Sequence, residues 1–585
     1  MTLTLLDWAV LAAYFLISFG VAWRLRGRAQ ASLADFFVSG RGVPWWIAGT
    51  SMVATTFAAD TPLAVTGITA AHGLAGNWFW WSLLFSGMLT VFYFARLWRR
   101  AGVLTDVELT ELRYAGRPAA FLRGFRAVYL GVLMNCLIMG WVNLAMVKVL
   151  KVTLGIEKLE AVLLCLVVTA VYTTIAGLWG VLITDFLQFL LMISMSIALA
   201  VYAVSAVGGL AALKAKVAAA EAGGAGEGSL LAFFPSLDSP WMPLTVFLVY
   251  IGVNWWAGWY PGAEPGGGGY VAQRIFCAKD EKHSLWATLW FNVAHYALRP
   301  WPWILVALVS VVLYPGLEDK EAGYVQVMVD HLPASLRGLM LASFLAAYMS
   351  TISTHLNWGA SYLINDVYRR FLRPEASEGH HLRASQAATL LLMLAAAAVS
   401  YSLETVRGAW QLVLMISAGT GSVFILRWWW WRINAWSEIA AMSAAFLTSL
   451  GLNHWQPFGG DEQLVFAKSM LVTTAVSTAG WLAVTFLTPP EPAARLLEFY
   501  RRVRPGARGW RPIAAQAADV PAVSSGWQNL AAWLLGCALV YSLLFATGEL
   551  LLGTLTTGLL LLVGAAAAGG LLYWQFARRG WESFG

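Results

Sequence analysis

Charge is what this chain has least of. Only 12% of its 585 residues are Asp, Glu, Lys or Arg, about half the share of an ordinary soluble domain. That scarcity excludes a soluble globular protein as the starting point. The formal charge of +7 would suggest a nucleic-acid partner in a soluble domain; here membrane topology explains it, and no nucleic acid is expected. Cysteine is scarce too. Cys136, Cys165, Cys277 and Cys537 form no CxxC or zinc spacing, which excludes a disulfide framework and a structural metal. Among the eight histidines, His72, His295 and His355 lie in or near apolar runs, but no two share a helix face at i,i+4. HExxH and GxxxxGK[ST] are missing, and GAEPGGGGY has no lysine for a phosphate loop. The chain therefore reads as no enzyme. Haem held by histidines on separate helices is the alternative that these absences leave open. The first apolar run carries Asp7, has no basic n-region and lacks a small-x-small cleavage site, so it is expected to be a retained helix.

What is there is apolar: 59% of residues are hydrophobic. Runs of about 20 residues, enough to cross a bilayer core, recur along the chain. They predict about 15 spanning helices: 5–24, 45–72, 76–98, 121–150, 159–178, 181–207, 241–262, 284–314, 335–366, 384–405, 408–428, 435–454, 464–488, 527–547 and 552–577. With the N-terminus outside, the odd loops and the C-terminus face the cytoplasm. Those segments hold most of the basic residues, among them Arg96, Arg99, Arg100, Arg113, Arg123, Arg126, Arg274, Lys279, Lys282, Arg369, Arg370, Arg427 and Arg432. Glu318, Asp319, Glu321, Asp461 and Glu462 fall on the other side, as the positive-inside rule requires. The expected location is the cell inner membrane, among lipid. Residues 209–240 and 489–526 read as mobile connectors. WWWW at 428–431 reads as an interfacial belt.

Two spans are not plain Leu/Val/Ala runs. The second, GTSMVATTFAADTPLAVTG, contains Gly49, Pro62 and Gly67. The seventh, WYPGAEPGGGGYVAQR, contains Pro261, Pro265 and Gly266 to Gly269. Irregular backbone at membrane depth is tolerated where it is buried or lines a cavity. The two breaks lie five helices apart in oppositely directed spans, the pattern of an inverted repeat with a midplane site. A simple kink in each helix is the blander reading.

The ninth span offers Ser350, Thr351, Ser353 and Thr354 within five residues. At i,i+3 and i,i+4 spacing these hydroxyls share one broad face. A hard cation such as sodium prefers oxygen ligands of this kind. Back-bonding to the preceding turn is the competing fate. Asp185 is an intramembrane carboxylate, a functional hypothesis by default, with a structural pair or an interface position as the alternative.

ADFFVSGRGVPWW (34–46), VYTTIAGLWGVLITDFLQ (171–188), YVAQRIFCAKD (270–280), LASFLAAYMSTISTHLNWGASYLINDVYRRF (341–371) and WWRIN (430–434) resemble, in order, the sodium/solute symporter family. That group contains sodium/glucose and sodium/proline cotransporters, and the likeness covers roughly residues 5–435. The resemblance implies an all-α polytopic membrane protein with a LeuT-like 5+5 inverted-repeat core, one preceding helix and extra C-terminal helices. The implied divisions are a leading segment (1–44), a core (45–434, with halves 45–207 and 241–434), accessory helices (435–488), a cytoplasmic linker (489–526) and last helices (527–585). The implied activity is sodium-coupled symport of a small organic solute such as a sugar, amino acid or carboxylate. Na+ is the coupling ion, and no organic cofactor is expected. Proton coupling through Asp185 and a non-transporting sensor are the rivals.

By the same resemblance, a main sodium site uses Ala54, Phe57, Ala347, Ser350 and Thr351. A second uses Asp185, Ser353 and Thr354 together with Ser350. For the solute, Thr61 beside Asp60 and Gln411 match family contact positions, while Trp259 and Tyr260 match an aromatic gate. The stretch PGAEPGGGG departs from the family and adds Glu264. Asp60 and Glu264 could form an acidic cavity for an amine, hydrogen-bond sugar hydroxyls, or pair with Arg or Lys.

Overall fold

The computed structural model describes residues 4–29, 39–224, 226, 228–237, 239–506, 508–520 and 526–579; residues 34–38 of the first family-like motif lie outside them. Regular structure among the described residues is helical, apart from one parallel bridge between Val43 and Ala278. The first half comprises α1 (Leu5–Ala29), a broken span formed by α2 (Trp45–Thr56) and α3 (Asp60–His72), α4 (Leu74–Ala101), α5 (Gly116–Leu154), α6 (Lys158–Ala206) and α7 (Leu210–Ala222). The second begins with another broken span, α8 (Leu244–Ala257) and α9 (Gly269–Cys277). It continues through α10 (Glu281–Leu313), α11 (Gly323–His331), α12 (Ala334–Leu372), α13 (Glu378–Ser402), α14 (Val406–Ile416) and α15 (Thr420–Trp429). After these come α16 (Ala435–Trp455), α17 (Glu462–Leu487), α18 (Ala493–Val503), α19 (Gly526–Leu552) and α20 (Leu555–Arg579).

Each break has a local cause. Proline cannot sit inside a helix without removing an i→i−4 bond and clashing with the carbonyl four residues earlier. Pro62 therefore stops α2 from running on, and the chain restarts at Asp60, which places Pro62 in the first turn of α3, where its missing N–H costs nothing. The second break is longer because its backbone turns left-handed repeatedly. Gly262, Gly266, Gly267 and Gly269 have φ of 86°, 77°, 70° and 56°, values that side chains strongly disfavour. The helical continuation α9 ends at Cys277, well beyond the expected boundary at 262. A third bend, of 54° between α14 and α15, falls in the span expected as one helix over 408–428.

Packing places α12 at the centre, against α6, α2, α5 and α13, while α1 closes over α6 and α12. α10 crosses α2 so closely that a Cβ at Gly49 would meet the Ala287 carbonyl. α16 pairs with α17, and α19 with α20, on the outside of this core.

Three expectations change. The segments 159–178 and 181–207 run as one 49-residue helix, about 74 Å long at 1.5 Å per residue, because Gly177 and Gly180 without a proline do not interrupt it. The described parts of the two connectors are packed, not loose. Residues 209–240 contain α7, whose Leu213 and Val217 are buried, and Leu230 accepts from the Leu74 N–H at 2.9 Å. Within 489–526, Leu496, Phe499, Tyr500 and Val503 form the buried stripe of α18, at the spacing of one helix face. The tryptophan run is no uniform belt either. Trp428 is fully buried, its ring 4.7 Å from Trp98, and its carbonyl accepts from Trp510 Nε1 at 2.8 Å.

Candidate ion and solute site

Both breaks open onto one cavity. Thr55, Thr56, Ala58, Asp60 and Thr61 line it from the first, and Tyr260, Pro261 and Tyr270 from the second. Trp80 and Leu83 of α4, Ile138, Trp141 and Val142 of α5, and Trp410 of α14 supply apolar wall. His295, Tyr296 and Arg299 of α10 and Thr351 and His355 of α12 complete it.

The end of α2 meets the hydroxyl face of α12. Thr351 Oγ1 lies 2.8 Å from the Thr55 carbonyl and 3.0 Å from the Ala347 carbonyl. Ala54 and Phe57 are buried beside this contact, and the Phe57 N–H closes the helix by donating to Ala54 O at 3.1 Å. Phe57 and Ala347 also line a small neighbouring void with Met192 and Ser196 of α6. The structure thus brings Ala54, Phe57, Ala347 and Thr351 together. Ser350 turns elsewhere: its hydroxyl donates to Asp185 Oδ1 at 2.7 Å.

Asp185 and Ser350 form a second cluster with residues that sequence reasoning did not single out. Ser51 Oγ donates to Asp185 Oδ2 at 2.5 Å. Arg274, fully buried, donates to Thr354 Oγ1 at 2.7 Å, to Ser51 Oγ at 3.2 Å and to Gln273 Oε1 at 2.8 Å. Its Nη2 stands 3.8 Å from Asp185 Oδ2. The guanidinium therefore sits among the oxygens expected of a second sodium site. The sequence places Arg274 in a cytoplasmic segment because the seventh span is drawn to end at residue 262; α9 instead carries it into the interior. Ser353 back-bonds to the Ser350 carbonyl at 3.2 Å, the alternative fate of a helical serine.

Of the residues expected at the solute, Asp60, Thr61 and Tyr260 line the cavity. Thr61 Oγ1 donates to the Thr56 carbonyl at 3.1 Å, and the Tyr260 ring lies edge-on to Trp410 at 5.7 Å. The other three lie elsewhere. Trp259 stacks on Trp358 with ring centroids 6.3 Å apart, its N–H donating to Ser417 Oγ at 2.8 Å, because the chain after Ala257 is extended and turns alternate residues to opposite sides. Gln411 faces a separate pocket between α14, α16 and α17; the bend after α14 carries it there. Glu264 accepts from the Gly262 N–H at 3.3 Å and lies next to Gly268, a residue also approached by Asp106 Oδ2. The left-handed glycines fold its side chain away from the cavity, so Asp60 and Glu264 do not form a joint acidic pocket.

Sequence reasoning missed Arg299 and named His295 only among the histidines in or near apolar runs, not as part of the solute site. Arg299 donates from Nη1 to Thr56 Oγ1 at 3.0 Å and from Nε to the His295 carbonyl at 3.2 Å. Its Nη2 meets His295 Nε2 at 3.1 Å. A guanidinium only donates, so Nε2 is the acceptor and His295 carries its proton on Nδ1, 3.0 Å from Thr56 Oγ1. The signal was present in the sequence. An arginine inside the apolar run AHYALRPWPWILV is a functional candidate wherever a span is drawn through it.

A profile described as "Sodium:solute symporter family" matches residues 36–445, more than two thirds of the chain. The chain belongs to the sodium:solute symporter family. Within that family, a sodium/glucose cotransporter of Vibrio parahaemolyticus is 24% identical over 507 residues, covering 82% of this chain and 91% of that protein. Human sodium/myo-inositol cotransporter 2 is 25% identical, covering 83% and 77%. Rat sodium/glucose cotransporter 2 is 26% identical over 64% of this chain and 59% of its own length. Among solved structures, a Na+-coupled sialic acid symporter in a substrate-bound outward-open state superposes with a TM-score of 0.68 at 16% identity, covering 84% of this chain and 99% of that one. That likeness gives the fold, all-helical among the described residues with the inverted-repeat core; the family and the long apolar helices make the chain a multi-pass membrane protein. Family and relatives are transporters.

Proposed function

We propose that this symporter uses an inward sodium gradient to import a small organic solute across the cell inner membrane, with the N-terminus outside and the C-terminus cytoplasmic. The observation that carries the reading is the Thr351 hydroxyl lodged between the Thr55 and Ala347 carbonyls, at the wall of a cavity bounded by two broken helices. Hydroxyl and carbonyl oxygens without a formal charge suit a monovalent hard cation that must leave again. In this reading Ala54, Phe57, Ala347, Ser350 and Thr351 hold the coupled sodium, with Ser350 turning from Asp185 toward the ion. Asp185, Ser350, Ser353 and Thr354 are the second candidate set, and a sodium ion there requires Arg274 to withdraw, because the two cations compete for the same oxygens. The core of residues 45–434 does the transport, flanked by accessory helices over 435–488 and 527–585.

A second reading draws on the same cluster. Asp185, buried beside Arg274 and two serine hydroxyls, could accept the coupling proton instead. Purified protein in liposomes separates the two: sodium-driven uptake supports the first reading, and uptake driven equally by an imposed proton gradient without sodium supports the second. Thr351→Ala is expected to raise the sodium concentration for half-maximal uptake about tenfold, equivalent to one lost ligand of about 1.4 kcal/mol. Full uptake at wild-type sodium sensitivity in that variant would sink the site assignment.

A further inference from the structure

The cavity carries one buried charge of each sign, and the protein neutralises neither at close range. Arg299 is 1% exposed. Its donors reach only neutral acceptors: the Thr56 hydroxyl, the carbonyl and ring of His295, and the Val53 carbonyl at 3.5 Å. Among the described residues no carboxylate oxygen forms an ion pair with it within 4.0 Å. A guanidinium has five N–H donors, and these contacts leave one Nη2 hydrogen unused. Asp60, at the start of α3, is 3% exposed, and its Oδ1 has no hydrogen-bond partner. A buried charge without a counter-charge is costly, and breaking up such pairs is among the most damaging changes a protein interior undergoes. Arg299 and Asp60 attract each other only from beyond ion-pair distance, so opposite charges on the wall of one cavity point to a ligand that bridges them and gives each a close partner.

We infer that the solute is a zwitterionic amino acid, its carboxylate meeting Arg299 and its ammonium meeting Asp60. A planar guanidinium suits a carboxylate through charge-assisted bonds. A neutral sugar gives neither charge a close ionic partner. A simple amine pairs with Asp60 but is repelled by Arg299, and a simple acid does the reverse. Trp80, Tyr260 and Trp410 line the remaining wall, so the side chain of the solute is apolar or aromatic. The inference rests on the transport reading above and narrows it to one substrate class.

The test is uptake into liposomes under a sodium gradient, read by mass spectrometry, from four pools at equal concentration. The pools are apolar L-amino acids, the amines left by removing their carboxyl groups, the acids left by removing their amino groups, and D-glucose with myo-inositol. The amino-acid pool is expected to exceed the other three by roughly 100-fold, the lower end of what a site built for a polar group achieves against an analogue lacking it. In Arg299→Gln the preference over the amines should collapse. In Asp60→Asn the preference over the acids should collapse. Each ratio is taken within one protein sample, so the amount of folded protein cancels; Arg299→Lys, which keeps the charge, should retain the preference over the amines. Sodium-driven uptake confined to sugars, amines or acids overturns the inference and leaves the transport reading standing. Sodium-independent uptake overturns the transport reading, and no uptake from any pool by protein that keeps its wild-type melting transition overturns both.

Discussion

Buried arginines occur in two regions of this molecule, and they are treated in opposite ways. Where α5, α12, α15 and α16 meet, Arg123, Arg126 and Arg427 each have an anion, while neighbouring Arg113 donates to the carbonyls of Arg427, Trp430 and Trp431. Arg126 and Arg427 share Glu438 at 2.9 and 3.4 Å, and Tyr114 donates to the same carboxylate at 2.7 Å. Arg123 grips Asp366 and Glu111, both at 2.7 Å. In the middle of the molecule Arg274 leans mainly on hydroxyls, with Asp185 at 3.8 Å, and Arg299 has neutral partners only. Closed pairs of the first kind hold helices in place. In the proposed reading, the open charge of Arg299 beside the cavity is where a ligand binds.

The comparison can be tested by thermal unfolding of the purified protein in detergent. Glu438→Gln should be the most damaging change, costing about 3–5 kcal/mol, because it strands two buried guanidinium groups. If it is tolerated, the paired region is not structural. Asp185→Asn should cost less, about 1–3 kcal/mol, since Arg274 keeps its hydroxyl partners; it should also weaken sodium activation, and unchanged sodium curves would count against Asp185 as an ion ligand. Glu111→Gln is expected to cost under about 1 kcal/mol, as its partner Arg370 is solvent-screened and Arg123 retains Asp366. Arg299→Gln should shift stability least, by about 1 kcal/mol or less, because it removes an unpaired charge together with its desolvation cost. Unfolding as severe as that of Glu438→Gln would erase the distinction between the two regions.

Much of the fold was legible because bilayer physics writes it into local composition. Apolar length, basic flanks and the Pro/Gly interruptions of the second and seventh spans are properties of contiguous residues. So is the hydroxyl face of α12, and Thr351 is found where that face meets the end of α2. The connectors misled because residues 209–240 are rich in Ala and Gly and residues 489–526 in Pro and Arg. The buried stripe of α18, Leu496 to Val503, is too short to stand out from the charges around it.

By itself, the sequence determined the membrane class, the two breaks and the family, because each depends on neighbours along the chain. Only tertiary structure decided which polar side chains share a space. It drew Arg274 out of the expected cytoplasmic segment and set it against Asp185, and turned Glu264, Trp259 and Gln411 away from the solute. It also brought Arg299 to the same cavity as Asp60. Those two residues are 239 positions apart in sequence, and whether a buried charge is paired or open depends on a few ångströms that no local pattern encodes.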